Sequence, residues 1–133
     1  MRILVDGRTS EGAFTVLDCT HVAGPTERHV HTDAQKSVFV LAGRYRFAVG
    51  ETLIEATPGE QVFIGRGVPH DFVVGREGGR ALFTFSPSGV EEYFRGLALM
   101  ADAASSAATV DELRRRHHIE PAEPVQQAEP VES

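Results

Sequence analysis

Histidine is the residue in this 133-residue chain with the most chemistry to offer, and its spacing is specific. His29 and His31 stand two apart, so on a β-strand both imidazoles point to one face. His70 lies in a second stretch, TPGEQVFIGRGVPHDFVV, residues 57–74, where Pro58-Gly59, Gly67 and Pro69 bracket short apolar runs. A single buried histidine needs only a hydrogen-bond partner. Three on inward faces of neighbouring strands must each find one. Gathered in one apolar pocket, three imidazoles are the usual content of a non-haem metal site. Such a site takes a divalent transition metal (Fe, Ni, Mn, Cu or Zn), and imidazole alone does not choose among them. Three nitrogen ligands leave positions for water, dioxygen or a substrate oxygen.

The elements that must position these residues are short strands. Residues 2–5 and 13–22 read as strands, punctuated by Gly7, Gly12 and Gly24-Pro25. The strand that carries His29 and His31 puts Glu27 on the same face, nearer the pocket rim, as a weak substitute carboxylate. A loop over residues 32–35 leads to a strand from Lys36, on which Lys36, Val38 and Val40 share one face. Tyr45, Phe47 and Val49 alternate again, and Gly50-Glu51 marks a hairpin before Thr52–Ala56. Val62–Ile64 reads as a short buried strand, and a glycine-rich bend over residues 65–69 delivers His70. His70, Phe72 and Val74 then share a face, which turns Asp71 outward. Ala81–Phe85 is the last strand of the barrel.

The period then changes. Ser88 and Glu91 have the spacing of a capping box, and Val90, Tyr93, Phe94, Leu97 and Met100 fall at helical intervals. Thr109 and Glu112 repeat the signature ahead of a short helix that runs to about His118. Residues 120–133 are rich in Pro and Glu with little to bury, and a disordered tail is expected. Many glycine turns, short strands and two late helices describe one domain over residues 1–119. Its barrel occupies about 10–87 and its helices about 88–118.

The two histidine stretches resemble the paired sequence motifs of the cupin family. Gly24, His29, His31 and Gly43 match the first motif, with one residue fewer between Gly24 and His29. Gly59, Gly67 and His70 match the second; Gly65 stands where a proline is usual and Val74 where an asparagine is. The resemblance spans about residues 10–100. It implies an all-β double-stranded β-helix, a jelly-roll barrel with the metal inside, and a homodimer. The stretch FTFSPSGVEEYFRGL, residues 83–97, resembles the closing segment of small single-domain cupins similar to quercetin dioxygenases. That likeness implies an oxygenase acting on an aromatic or enolic small molecule. The pocket would then be lined by Phe39 or Val40 with Phe47, Phe72, Phe83 and Phe85. Such residues are equally ordinary core.

One departure from the family pattern carries chemistry of its own. The glutamate that cupins add to their three histidines aligns with Lys36, and the neighbouring Gln35 faces the other way. Of the thirteen basic residues, Lys36 is the only lysine. An inward amine among imidazoles is disfavoured as an ammonium and can serve as an acid or base. Lys36 is therefore the candidate catalytic residue. It also opens an alternative to oxygenase chemistry: an isomerase, cyclase or lyase that moves a proton. A binding module without catalysis is the third reading.

The remaining candidates read as structure. Cys19, the only cysteine, excludes an intrachain disulfide and suits a buried strand position. His21 suits strand packing. Arg44, Arg46 and Arg66 suit the surface. Arg114, Arg115, Arg116, His117 and His118 suit a solvated helix end, where cations are favourable. A net charge of -6 argues against nucleic acid. No apolar run can span a membrane, the first residues lack a signal-peptide pattern, and a cytoplasmic protein is the simplest expectation.

Overall fold

The computed structural model describes residues 1–101 and 107–124, and within them the chain is the expected all-β jelly roll. Eleven strands and two helices follow in order. They are β1 (Arg2–Val5), β2 (Thr15–His21), β3 (Gly24–Pro25), β4 (His29–His31), β5 (Gln35–Ala42), β6 (Tyr45–Val49), β7 (Thr52–Ala56), β8 (Gln61–Ile64), β9 (His70–Val74), β10 (Gly79–Ser86), α1 (Val90–Ala101), α2 (Ala107–Arg116) and β11 (Ile119–Pro121).

Two antiparallel sheets face each other. One has the order β1-β2-β10-β5-β8; the other runs β11-β4-β9-β6-β7, with β3 beside β9. Alternation decides what lies between them. Thr15, Leu17 and Cys19 of β2, Lys36, Val38 and Val40 of β5, and Ala81, Phe83 and Phe85 of β10 are all buried, while Phe39 and Leu41 are exposed. Tyr45, Phe47 and Phe72 complete the core from the second sheet. The expected hairpin is present, with Val49 opposite Thr52. Gly43, at φ 83°, lies against the carbonyl of Gly78, which a Cβ would approach to 2.2 Å. Only glycine fits there.

The helices close one end. Glu91, in the expected capping signature, does more than cap. Its carboxylate accepts from the Gly89 N–H at 2.7 Å, the Thr15 hydroxyl at 2.6 Å and the Gly7 N–H at 2.7 Å. One buried side chain thus ties α1 to β2 and to the turn after β1. Helix α2 starts at Ala107, ahead of Thr109, and ends at Arg116; His118 adopts φ 61° as the chain turns into β11.

Strand β11 corrects the expected boundary. Glu120 and Pro121 fall within the segment assigned to a disordered tail, yet Ile119–Pro121 pairs with His29–His31. The Ala122 N–H also donates to the Arg28 carbonyl at 3.3 Å. The expectation weighed side-chain apolarity. A backbone ladder beside a free sheet edge, anchored by the buried Ile119, does not depend on it. Residues 125–133 of that tail lie outside the described residues.

Candidate functional site

Strands β4 and β9 bring the histidines together. Their register sets His29 directly opposite His70, and alternation places His31 on the face of His29. The Nε2 atoms of His29 and His31 are 3.2 Å apart, and one ligand nitrogen from each of the three histidines lies within 4.8 Å of the others. Backbone carbonyls fix two of the tautomers. His29 Nδ1 donates to the Glu27 carbonyl at 2.9 Å, and His70 Nδ1 donates to the Val68 carbonyl at 3.0 Å. Both Nε2 atoms therefore carry a lone pair toward the site.

Burial keeps the imidazoles neutral. It pulls His29 down to about 4 and His31 and His70 down to about 2, with the nearby Lys36 charge adding to the effect. Neutral, pre-oriented Nε2 lone pairs are what a cation needs. Two ligands at about 2.0–2.1 Å from a common ion stand roughly 2.9–3.4 Å apart at right-angled to tetrahedral geometry, so the His29–His31 spacing fits. His70 offers the third nitrogen, within 4.8 Å of the other two. The residues present fit a divalent transition metal.

Lys36 reaches the same place from the opposite sheet. Pairing with Ile64 on one side and Phe85 on the other fixes its inward direction. Its Nζ lies 3.3 Å from His70 Nε2, 4.5 Å from the centroid of Phe83 and 5.5 Å from that of Phe85. Burial draws the amine down to about 7, into the range where it can give or take a proton near neutrality. Strand β5 begins one residue earlier than expected, at Gln35, and Gln35 is exposed.

A cavity of about 260 Å³ opens above these groups. Cys19, His21, Phe72, Phe83 and Phe85 wall it, and Thr26, Glu27, Tyr93, Phe94, Arg114 and Ile119 frame it. Three of the expected aromatic walls are in place. Phe39 points outward, and Val40 and Phe47 lie in the core behind the walls, Phe47 against Phe72 with ring centroids 5.4 Å apart.

Other candidates fall elsewhere. Glu27 sits at the rim, but its carboxylate turns to Arg114 at 3.0 Å and is not among the clustered ligands. Asp71 faces away from the pocket as expected, yet it is buried rather than exposed, because Arg28 covers it at 3.4 Å. His118 is paired with Asp33 at 3.8 Å, outside the histidine group.

His21 and Arg114 are among the residues of the pocket that the sequence reading placed elsewhere. His21 lines it, with Nδ1 2.7 Å from the Tyr45 hydroxyl, and burial lowers the imidazole to about 4. Its alternation with Leu17 and Cys19 was a usable signal. Arg114, read as a solvated helix end, instead lines the mouth, and no local pattern announces that.

Residues 15–85 match the family described as Cupin domain. No curated protein matches the sequence. Among solved structures, KdgF from Halomonas sp. superposes with a TM-score of 0.62 at 14% identity, covering 68% of this chain and 80% of that one. The cupin domain of Cnp3 from Schizosaccharomyces pombe gives 0.59 at 20% identity, covering 71% and 69%. Pac13 from Streptomyces, described as a nucleoside dehydratase, gives 0.54 at 12% identity, covering 61% and 65%. At these identities the likeness is one of fold.

Proposed function

From the membership of this chain in the cupin family, whose domain takes up more than half of it, we propose a metal-dependent enzyme that moves a proton on a small aromatic or enolic molecule. His29, His31 and His70 hold a divalent transition metal. When bound, the metal supplies Lewis-acid polarisation of a substrate oxygen. The chain's own residues supply the rest. Phe72, Phe83 and Phe85 bind a flat apolar body and exclude water. Lys36 Nζ, as the neutral amine, takes a proton from the carbon α to a substrate carbonyl and returns it to another atom of the substrate. The net change is an isomerisation, or an elimination if a leaving group departs. The nucleoside dehydratase with a similar fold is an example of a non-oxidative activity.

The observation that supports this reading is the placement of Lys36. Its buried amine faces the histidine cluster, with no carboxylate in the ligand group to occupy it. The test is hydrogen exchange in D2O with phenylpyruvate, an enolisable aromatic probe. Metal-loaded protein is expected to speed exchange at the acidic carbon. Lys36→Met should abolish that exchange while keeping its metal by elemental analysis. Exchange that persists in Lys36→Met would overturn the proposal.

A second reading, a quercetinase-like oxygenase, is favoured by the aromatic walls beside three histidines. It requires a redox-active metal and stoichiometric dioxygen uptake with quercetin. Either measurement separates it from the first.

A further inference from the structure

The mouth of the pocket carries a cation that proton transfer does not use. Arg114 projects from α2, and its Nε donates to the Tyr93 hydroxyl at 3.1 Å. Tyr93 is itself buried in α1, so the guanidinium is held from behind. Nη1 pairs with Glu27 at 3.0 Å. A guanidinium has five N–H donors in a rigid fork, and Nη2 has no partner among the described residues. The charge of Arg114 also reaches His29, one of the effects that hold that imidazole neutral.

The balance of charge in this cavity is one-sided. Lys36 lies at the floor and Arg114 at the mouth, and Glu27 is the only acidic group among the lining residues. Glu27 is also the loosest part, with 62% of its side chain exposed against 28% for Arg114. It can swing into solvent while Arg114 stays on Tyr93. A neutral ligand would leave that arrangement untouched. A carboxylate would match the fork with two parallel hydrogen bonds and replace the contact with Glu27.

We infer that the pocket takes a small organic monocarboxylate, with the carboxylate on Arg114 and the apolar body between the phenylalanines and Lys36. Glu27 holds the arginine in place until the ligand arrives. The inference rests on the reading of this cavity as the active site, and it makes Arg114 the residue that selects for an anion. The cavity, about 260 Å³, has room for a single aromatic ring with a carboxylate.

The test titrates benzoate and its neutral isostere benzamide into the metal-loaded full chain by calorimetry. Benzoate is expected to bind at least about tenfold more tightly than benzamide. Arg114→Met should lose that preference with its metal content unchanged. Glu27→Gln, which removes the competing carboxylate, should bind benzoate several-fold more tightly. This opposite-direction variant decides the matter should Arg114→Met fail to fold. Equal affinities in the unaltered protein, or weaker benzoate binding in Glu27→Gln, would overturn the inference. A second control separates the arginine from the metal. Metal-free His31→Ala should keep the benzoate preference. If it loses the preference while Arg114→Met retains it, the anion sits on the metal and the inference fails. The exchange assay with Lys36→Met reads the proposed reaction independently of all these titrations.

Discussion

Arg28 and Lys36 are both basic side chains buried in the barrel wall, with 6% and 3% of their surface exposed, and their surroundings are opposite in kind. Arg28 is closed off. Its guanidinium meets the Asp71 carboxylate at 3.4 Å and the carbonyls of Ala48 at 3.3 Å and Gly50 at 2.6 Å. Asp71 offsets its charge, and three hydrogen bonds hold it to acceptors inside the protein. Lys36 faces one imidazole nitrogen and two aromatic rings, and no carboxylate among the described residues pairs with it. The two regions are joined by sequence: Arg28 precedes His29, and Asp71 follows His70. On the outer face of β4 and β9 the polar groups complete one another. On the inner face they repeat one another and invite something from outside. A self-satisfied buried pair reads as scaffold, and an unsatisfied one as a site.

The largest expected effect breaks the closed region. Asp71→Ala leaves Arg28 buried without its carboxylate and should cost about 3–5 kcal/mol in chemical denaturation. The pair Arg28→Met with Asp71→Leu should recover most of that loss. A cost below about 1 kcal/mol for Asp71→Ala would show that the carbonyls alone satisfy Arg28.

Next come the ligands of the open region. Alanine at His29, His31 or His70 should lower bound metal, by elemental analysis, at least about tenfold, while alanine at His118 should leave it unchanged. Folding should survive, because sheet pairing rather than the ion holds β4 and β9. Equal losses from all four would dissolve the distinction between site and surface.

Lys36→Met should act in the sense opposite to Asp71→Ala. It removes an uncompensated buried amine at nearly constant volume and should stabilise the fold by about 1–3 kcal/mol near pH 7. Lys36→Glu should instead tighten metal binding. Destabilisation by Lys36→Met would mean that the contacts to Phe83 and Phe85 outweigh desolvation.

The last contrast is in pH dependence. His21, His29, His31 and His70 all have pKa values lowered by burial from 6.5, to between about 4 and 2. The unfolded chain therefore takes up protons first, and the histidines' contribution to the stability of chelator-treated protein should be fully present above pH 6.5 and be lost as pH drops toward 4 and below. Lys36, lowered from 10.5 to about 7, makes stability rise between those two values, and Lys36→Met should flatten that rise. A flat profile from pH 6.5 to 4 would show that the imidazoles gain protons as easily folded as unfolded.

The sequence by itself determined what periodicity and turn chemistry encode. The spacing of His29 and His31 fixed their common face, the alternation of β5 turned Lys36 inward, and glycine-proline turns set His70 at the start of its strand. Those are properties of one strand at a time, because the direction of a side chain along a strand follows from its parity. Only the tertiary structure decided which strands meet. The pairing of Arg28 with Asp71, the descent of Arg114 from α2 onto the pocket mouth and the docking of Ile119–Pro121 beside β4 join residues 43, 87 and 90 positions apart. Such contacts are fixed by register and by where a helix lands on the barrel, and these are set by the packing of the whole core rather than by any local pattern.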